Sequence, residues 1–321
     1  MLLYVNGSLD APFNLALEET LAAVSPEDFM MLWRNDKSII IGRNQNMLAE
    51  IDTAFVEQNR IPVVRRMTGG GAVYHDCGNL NYTICVSGKC PGDFARFADV
   101  VCRALNELNC DAEFSGRNDI LCRGRKVSGS ASSIIGNRTL FHGTLLFNTD
   151  LEMLSLALAP DPEKVIAKGI RSVRSRVMNL HEILPDMSME QFIAFMRQFL
   201  ESRNCRLMPI PEKAVTLAEQ LADRRYRSRE WNAPAALPYS FRNRRRFPAG
   251  KVELAFNVSN QQITQLDISG DFFGEKPAAE LACLLEGIMH DRETLARFFR
   301  ENPPAKWISG VPEEELLELF F

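Results

Sequence analysis

No run of about 18 consecutive apolar residues occurs in the 321-residue chain, so no membrane-spanning helix is expected. Its start, MLLYVNGSLDAPFN, carries no basic segment followed by a long apolar one, so no export signal is expected either. Cysteines stand at positions 77, 85, 90, 102, 110, 122, 205 and 283, without the density or paired spacing of a secreted disulfide framework. A reducing cytoplasm fits that pattern. Neither sign of charge prevails: 37 basic and 41 acidic residues leave −4, which offers no broad footprint for nucleic acid or an anionic bilayer. The strongest basic run, Arg242, Arg244, Arg245 and Arg246, reads as a solvated turn or linker and receives no function. Internal repeats and low-complexity tracts are absent.

What is there is an ordinary globular composition, 46% hydrophobic and 24% charged. Single cores rarely grow beyond ~250–300 residues, so one large and one small domain are expected. Apolar runs at 29–33, 39–41, 82–86, 119–122, 126–127, 132–135 and 139–147 read as strands, with Asn137 turning a hairpin between the last two. Helical spacing covers 14–23 and 94–108, then 151–158, 189–202 and 212–223. The class is α+β with mainly antiparallel pairing. Residues 233–248, with Pro234, Pro238 and four arginines, read as a linker between a large domain (1–232) and a small one (249–321). The small domain should hold a hairpin of 252–258 and 263–268 around Ser259-Asn260, then helices at 277–289 and 291–300.

Three segments carry chemistry. Gly69, Gly70 and Gly71 are costly to order, so they imply unusual backbone dihedrals or a ligand approaching closely. Beside Arg65 and Arg66 they suggest an anionic ligand, held by backbone N–H groups and planar guanidiniums, although three glycines alone can be a tight turn. No Gly-Lys-Ser/Thr follows and the G-x-G-x-x-G spacing is missing, so neither a P-loop nor a dinucleotide fingerprint is present. Ala72, Val73, Tyr74, His75 and Asp76 come next, then Asn79 and Asn81 at strand spacing, able to share a face. The second segment runs Gly116, Arg117, Asn118, Asp119, then Arg125, Lys126, Val127, Ser128, Gly129, Ser130, Ala131, a lysine abutting a small-residue turn. Such a lysine is either surface decoration or a cation set over a ligand. The third, His142, Gly143, Thr144, puts a histidine on a buried-looking strand, structural or functional.

Together these segments resemble the lipoate-protein ligase A family of the biotin/lipoate ligase superfamily. The resemblance rests on FNLALEE (13–19), IIIGRNQN (39–46), RRMTGGGAVYHDCGNLNYT (65–83), GRNDI (116–120), KVSGSA (126–131), HGTLL (142–146), KGIRSVRSRVMNL (168–180) and REWN (229–232), in order along essentially the whole chain. It implies a biotin/lipoate-ligase-like catalytic domain with a small α+β C-terminal domain, in a cytoplasmic monomer. The implied reaction joins lipoate or octanoate to ATP with Mg²⁺, giving lipoyl-AMP and pyrophosphate. The acyl group then moves to a lysine of lipoyl domains of 2-oxoacid dehydrogenase complexes or of glycine cleavage H protein. No tightly bound prosthetic group is implied.

By the same resemblance Arg66, Gly70 and the backbone of Gly71, Ala72, Val73 and Tyr74 hold ATP and the adenylate, with Lys126 as the central cation. The rest of the pocket falls to Arg65, His75, Asn79, Asn81, Asp119, Ser128, Gly129, Ser130, His142, Gly143 and Thr144, with Asp119 also a candidate for holding Mg²⁺. The chemistry favours such a lysine, because a carboxylate attacking a phosphate brings anions together; a unit charge ~4 Å away is worth roughly 4 kcal/mol at an effective dielectric of ~20. One departure is visible: many members have two histidines before GTLL, where this chain has Phe141 then His142. Two rivals are an octanoyltransferase, which needs a thiol facing the lysine, and a metal-binding protein using His75, Cys77 and Cys85.

Overall fold

The computed structural model describes residues 1–116, 118–158, 176–233 and 239–321. Arg117, residues 168–175 and Pro234 and Pro238 lie outside the described residues. The chain opens with β1 (Leu2–Val5), α1 (Ala11–Val24) and β2 (Phe29–Trp33), a unit in which β1 and β2 pair in parallel. Pro12 stands in the first turn of α1, where the missing N–H costs nothing. There follow β3 (Ser38–Ile41), α2 (Thr53–Gln58), β4 (Val63–Arg65), β5 (Val73–His75) and β6 (Asn79–Ser87). After α3 (Phe94–Glu107) come β7 (Ala112–Ser115), β8 (Asp119–Cys122), β9 (Arg125–Ile135), β10 (Arg138–Leu146) and α4 (Leu151–Ala157). The helices Met189–Glu201 and Glu212–Leu221 flank β11 (Arg206–Leu207).

Eight of these strands form one sheet in the order β11-β1-β2-β6-β10-β9-β8-β7, antiparallel from β2 onward; β3, β4 and β5 form a second sheet. The large sheet is buried on both faces, and strand alternation decides which residue goes where. Leu3, Met30, Leu32, Tyr82 and Ile84 pack under α3 and the helix Met189–Glu201. Leu2, Tyr4, Phe29, Met31 and Trp33 face α1 and the helix Glu212–Leu221. Among the described residues no helix is long and apolar enough to cross a membrane.

The remaining residues build a separate core: β12 (Phe241–Phe247), β13 (Gly250–Ser259) and β14 (Gln262–Gly270) in one antiparallel sheet, covered by the helices Ala278–Leu285 and Arg292–Glu301. Here the structure corrects three expectations. The arginine run is part of β12, an edge strand within the expected linker, whose charged side chains guard an otherwise unpaired edge; without apolar alternation it does not read as a strand. The hairpin turns one residue later than expected, at Asn260 and Gln261, both with positive φ (49° and 62°), as a turn matched to strand twist requires. The expected strands 126–127 and 132–135 are likewise one strand, β9, because pairing with β8 and β10 overrides the weak propensity of Ser128 to Ser130.

This C-terminal unit sits on the glycine loop. Gly70 N–H donates to Phe272 O at 3.4 Å, Gly270 N–H donates to Asn44 O at 2.8 Å, and the Phe273 ring lies 5.7 Å from that of Phe94. A Cβ on Gly69 would stand 2.6 Å from Phe272 O, so only glycine permits the approach.

Candidate active site

The site is a cavity of about 150 Å³ between the large sheet and the glycine loop. One end is built on β9. Strands β8 and β9 slip register between Ile120 and Leu121, leaving Val127 as a bulge, and that bulge re-aims Lys126 over Gly129. A Cβ on Gly129 would lie 3.0 Å from Lys126 Nζ, so the absent side chain makes room for the ammonium. Lys126 is held by Asp119 Oδ1 at 2.7 Å, both about one-third exposed, and its backbone carbonyl accepts from Met178 N–H at 2.9 Å. Asn118 closes this corner, donating to Ser130 O at 2.6 Å. Across the strand pair, Thr144 Oγ1 accepts from Gly129 N–H at 3.3 Å, and the space a Gly143 side chain would need is filled by the Tyr82 hydroxyl.

The two arginines have different partners. Arg65 spends its guanidinium on backbone carbonyls: Gly42, Arg43 and Gln45 on one side, Trp231 and Asn232 on the other, at 2.6–3.0 Å. It does not line the cavity; it ties the IIIGRNQN and REWN segments together. Arg66 does line it, fully buried, with Nη2 donating to Gly69 O and Gly71 O at 2.7 and 2.8 Å and Nη1 to Ile40 O at 3.0 Å. Burial pushes the Arg66 pKa down to about 10, which leaves it cationic at neutral pH. Gly70 takes φ +89°, whereas the added Cβ of Gly71 would meet none of the described residues within 4 Å. Gly71 therefore faces open cavity.

The opposite end is polar and buried. His142 Nε2 contacts Thr68 Oγ1 at 2.8 Å, and Thr68 Oγ1 also accepts from Arg66 Nε at 2.9 Å. The other ring nitrogen, Nδ1, meets Glu18 Oε1 at 2.8 Å, and Glu18 Oε2 accepts from the Thr83 hydroxyl at 2.9 Å. A continuous chain of contacts thus runs from the glycine loop through Arg66, Thr68 and His142 to Glu18 on α1. His75 contacts Asn35 through Nδ1 at 3.0 Å and stands edge-on to Trp33. Asn81 Oδ1 accepts from Asn79 Nδ2 at 2.9 Å.

Of the residues singled out in the sequence, the cavity brings together Lys126, Arg66, Gly70, Gly71, Ala72, Val73, His75, Asn81, Gly129, Ser130, His142, Gly143 and Thr144. Arg65, Tyr74, Asn79, Asp119 and Ser128 stand outside its lining. Tyr74 alternates away from Val73 and His75 into the core of the second sheet, and Ser128 lies against the Tyr82 hydroxyl at 3.4 Å. Phe141 points away as well, stacked on Phe97 at 3.8 Å, so the missing second histidine leaves the cavity wall unchanged. Leu15, Trp33, Ile40, Asn118 and Ala131 complete the lining without having been singled out as site residues, and Glu18 and Thr68 support it from behind. For Glu18 and Asn118 the signal was their place inside the FNLALEE and GRNDI segments.

No cysteine lines the cavity. Burial raises the thiols of Cys77 and Cys85 above their ordinary pKa, and that of Cys122 is raised first by its contact with Cys110 and then by burial, which opposes nucleophilic thiolate. Among the described residues no three His, Cys, Asp or Glu side chains converge to hold a metal ion, so His75, Cys77 and Cys85 form no such site.

Residues 10–201 match the lipoyl protein ligase A/B catalytic domain, and residues 236–320 match the bacterial lipoate protein ligase C-terminus. The glycine loop and every residue lining the cavity fall within the match to the catalytic domain. The chain belongs to the lipoate-protein ligase family. It is 36% identical to lipoate-protein ligase LplJ of Bacillus subtilis over the full length of both chains. A crystal structure of P. falciparum LipL1 in complex with lipoate superimposes with a TM-score of 0.81 at 28% identity, covering 94% of each chain. The bipartite lipoate protein ligase of Thermoplasma acidophilum, studied with its E2 lipoyl domain, gives 0.67 at 29% identity, covering 75% of this chain and 98% of that one. A lipoate-protein ligase A bound with ATP gives 0.63 at 29% identity, with 73% and 98% covered.

Proposed function

We propose that this ligase activates free lipoate or octanoate with ATP to the acyl-AMP, then passes the acyl group to a lysine of lipoyl domains in 2-oxoacid dehydrogenase complexes and of glycine cleavage H protein. The observation that carries the reading is Lys126, seated over Gly129 in the cavity it shares with the glycine loop. In the first step a carboxylate oxygen attacks the α-phosphorus; an O–P bond forms, the bond to the β-phosphate breaks and pyrophosphate leaves. Lys126 donates to the carboxylate and the α-phosphate, offsetting the charge that gathers between them. Arg66 holds the loop in shape through two of its carbonyls and adds its own charge behind it. In the second step the acceptor amine attacks the carbonyl carbon, the C–O bond to AMP breaks, and the amine gives up its proton. Residues 1–232 supply this chemistry, and residues 249–321 form an accessory domain.

Magnesium normally accompanies ATP, keeping several waters and leaning on phosphate oxygens. Asp119 is the carboxylate nearest Lys126 and is already paired with it, and no protein-built cation site surrounds it among the described residues. Pyrophosphate exchange into ATP that depends on added lipoate or octanoate tests the first step, and the mass of a lipoyl domain after incubation tests the second. Transfer that proceeds only from acyl carrier protein, without exchange, would overturn the proposal.

A further inference from the structure

Two buried polar atoms at one end of the cavity have no partner among the described residues: His75 Nε2 and Asn81 Nδ2. Native interiors rarely leave such atoms unpaired, so a pair of them in a cavity wall marks the place of an acceptor on the ligand.

The donor character of His75 is fixed by a relay anchored in the backbone. The carbonyls of Ser8 and Arg34 accept from Asn14 at 2.9 and 2.8 Å, so the end of Asn14 that faces them is its amide nitrogen. The two hydrogens of that nitrogen are shared among these carbonyls and Asn35, whose atom at 2.9 Å from it must be the acceptor Oδ1, since a facing amide nitrogen could not accept; this turns Asn35 Nδ2 toward His75 Nδ1 at 3.0 Å. Nδ1 is therefore the acceptor, and the ring proton resides on Nε2. Asn14 and Asn35 are both fully buried, leaving the relay no competing water. Burial above all, then the charges of Arg66 and His142, pushes the His75 pKa down to about 3, so the ring is a neutral donor at working pH.

Register sets the distance from the reacting end. Trp33 pairs with Asn81, Asn81 with Thr144, and Thr144 Oγ1 accepts from Gly129, over which Lys126 lies. Two strand spacings, roughly 10 Å, separate Asn81 from Gly129. That is comparable to the reach of an extended octanoyl chain. The His75 ring stands 6.5 Å from Trp33, at the same end.

We propose that His75, with Asn81 beside it, determines specificity by selecting an acyl chain that ends in a sulfur-bearing ring, as in lipoate, over a plain alkyl end, as in octanoate. Ring sulfurs carry lone pairs that accept N–H donors, whereas a methyl terminus leaves both donors buried and unpaired. The inference rests on the reading of this cavity as the acyl site.

The test compares lipoate, octanoate and the carbocyclic analogue of lipoate, in which both ring sulfurs are methylenes, in acid-dependent pyrophosphate exchange. With the unaltered enzyme, kcat/KM for lipoate exceeds that for either other acid by about tenfold, carried by KM because the contact is remote from the reacting carboxylate. In His75→Phe the ratio shrinks to within about twofold. Equal handling of lipoate and its carbocycle by the unaltered enzyme overturns the inference, as does an unchanged ratio in the variant. The ligand comparison needs no substitution, so a variant that fails to fold leaves the test intact. If no acid supports exchange, the adenylation reading fails, and calorimetric Kd values for lipoate and its carbocycle still decide specificity.

Discussion

Lys126 is held by one carboxylate and one missing side chain, Asp119 and Gly129, and among the described residues its ammonium makes no other ion pair. Lys126→Ala should therefore fold with a Tm near that of the parent, while adenylate formation falls by about 10²–10³. Normal acyl-AMP formation would remove the lysine from the mechanism. His75 gives a second residue-scale outcome, with a sign fixed by its pKa. The folded ring stays neutral down to about pH 3, while an unfolded histidine titrates near its ordinary 6.5. Between those values the unfolded chain binds the extra proton, so stability falls as pH falls through that window. The Tm lost between about pH 7 and about pH 5 should be smaller in His75→Phe than in the parent; equal losses in the two proteins would contradict the buried, neutral ring. At this scale the sequence was legible where chemistry clusters in one segment, as for Arg66, Gly71 and His75. It was not legible where a polar residue from elsewhere completes the site: Glu18 lies 124 positions from its partner His142.

At the level of elements the bulge in β9 decides what Lys126 can reach, and the pattern Lys-Val-Ser-Gly-Ser does not announce it. Strand alternation alone would put Lys126 on a face with Ser128; pairing with β8 supplies the slip. Gly129→Ala tests the arrangement, since the new methyl group displaces the ammonium without touching backbone. Exchange should drop by roughly 10–100-fold with the fold retained, as expected when one positioned donor is moved. Retention of full rate would show that Lys126 works from another position. Long apolar strands such as β2 and β6 and the amphipathic α3 could be read from spacing alone. Short or charged ones could not: β11 has two residues, and β12 displays arginines to solvent. Arg65 belongs at this scale too, because its guanidinium fastens β4 to two distant segments instead of meeting a ligand.

Across the whole molecule, the C-terminal unit and the glycine loop share one contact surface. Lys251 reaches Glu50 at 3.8 Å, and the Phe273 ring packs against Gly69 and Gly70. Phe273→Ala removes the half-buried ring that fills this seam. The expected result is a Tm lower by about a few degrees and a KM for ATP raised several-fold, read by melting and by exchange. A variant with unaltered KM would separate the seam from nucleotide binding. A large and a small domain are expected from chain length, but the contact between the glycine loop and the C-terminal strands is not legible, because nothing in the Phe272-Phe273 pair says which loop it will cover.

Three glycines in and beside that loop answer to different masters over generations. A side chain at Gly69 collides with Phe272, and one at Gly42 collides with the Gly70 carbonyl, so the protein's own architecture polices both positions. At Gly71 an added Cβ would meet no described residue within 4 Å. On the proposed reading that the loop holds nucleotide, a duplicated gene released from that need should accumulate substitutions at 71 while keeping glycine at 69 and 42, and the order of loss among these three positions would date the end of catalysis before the end of folding.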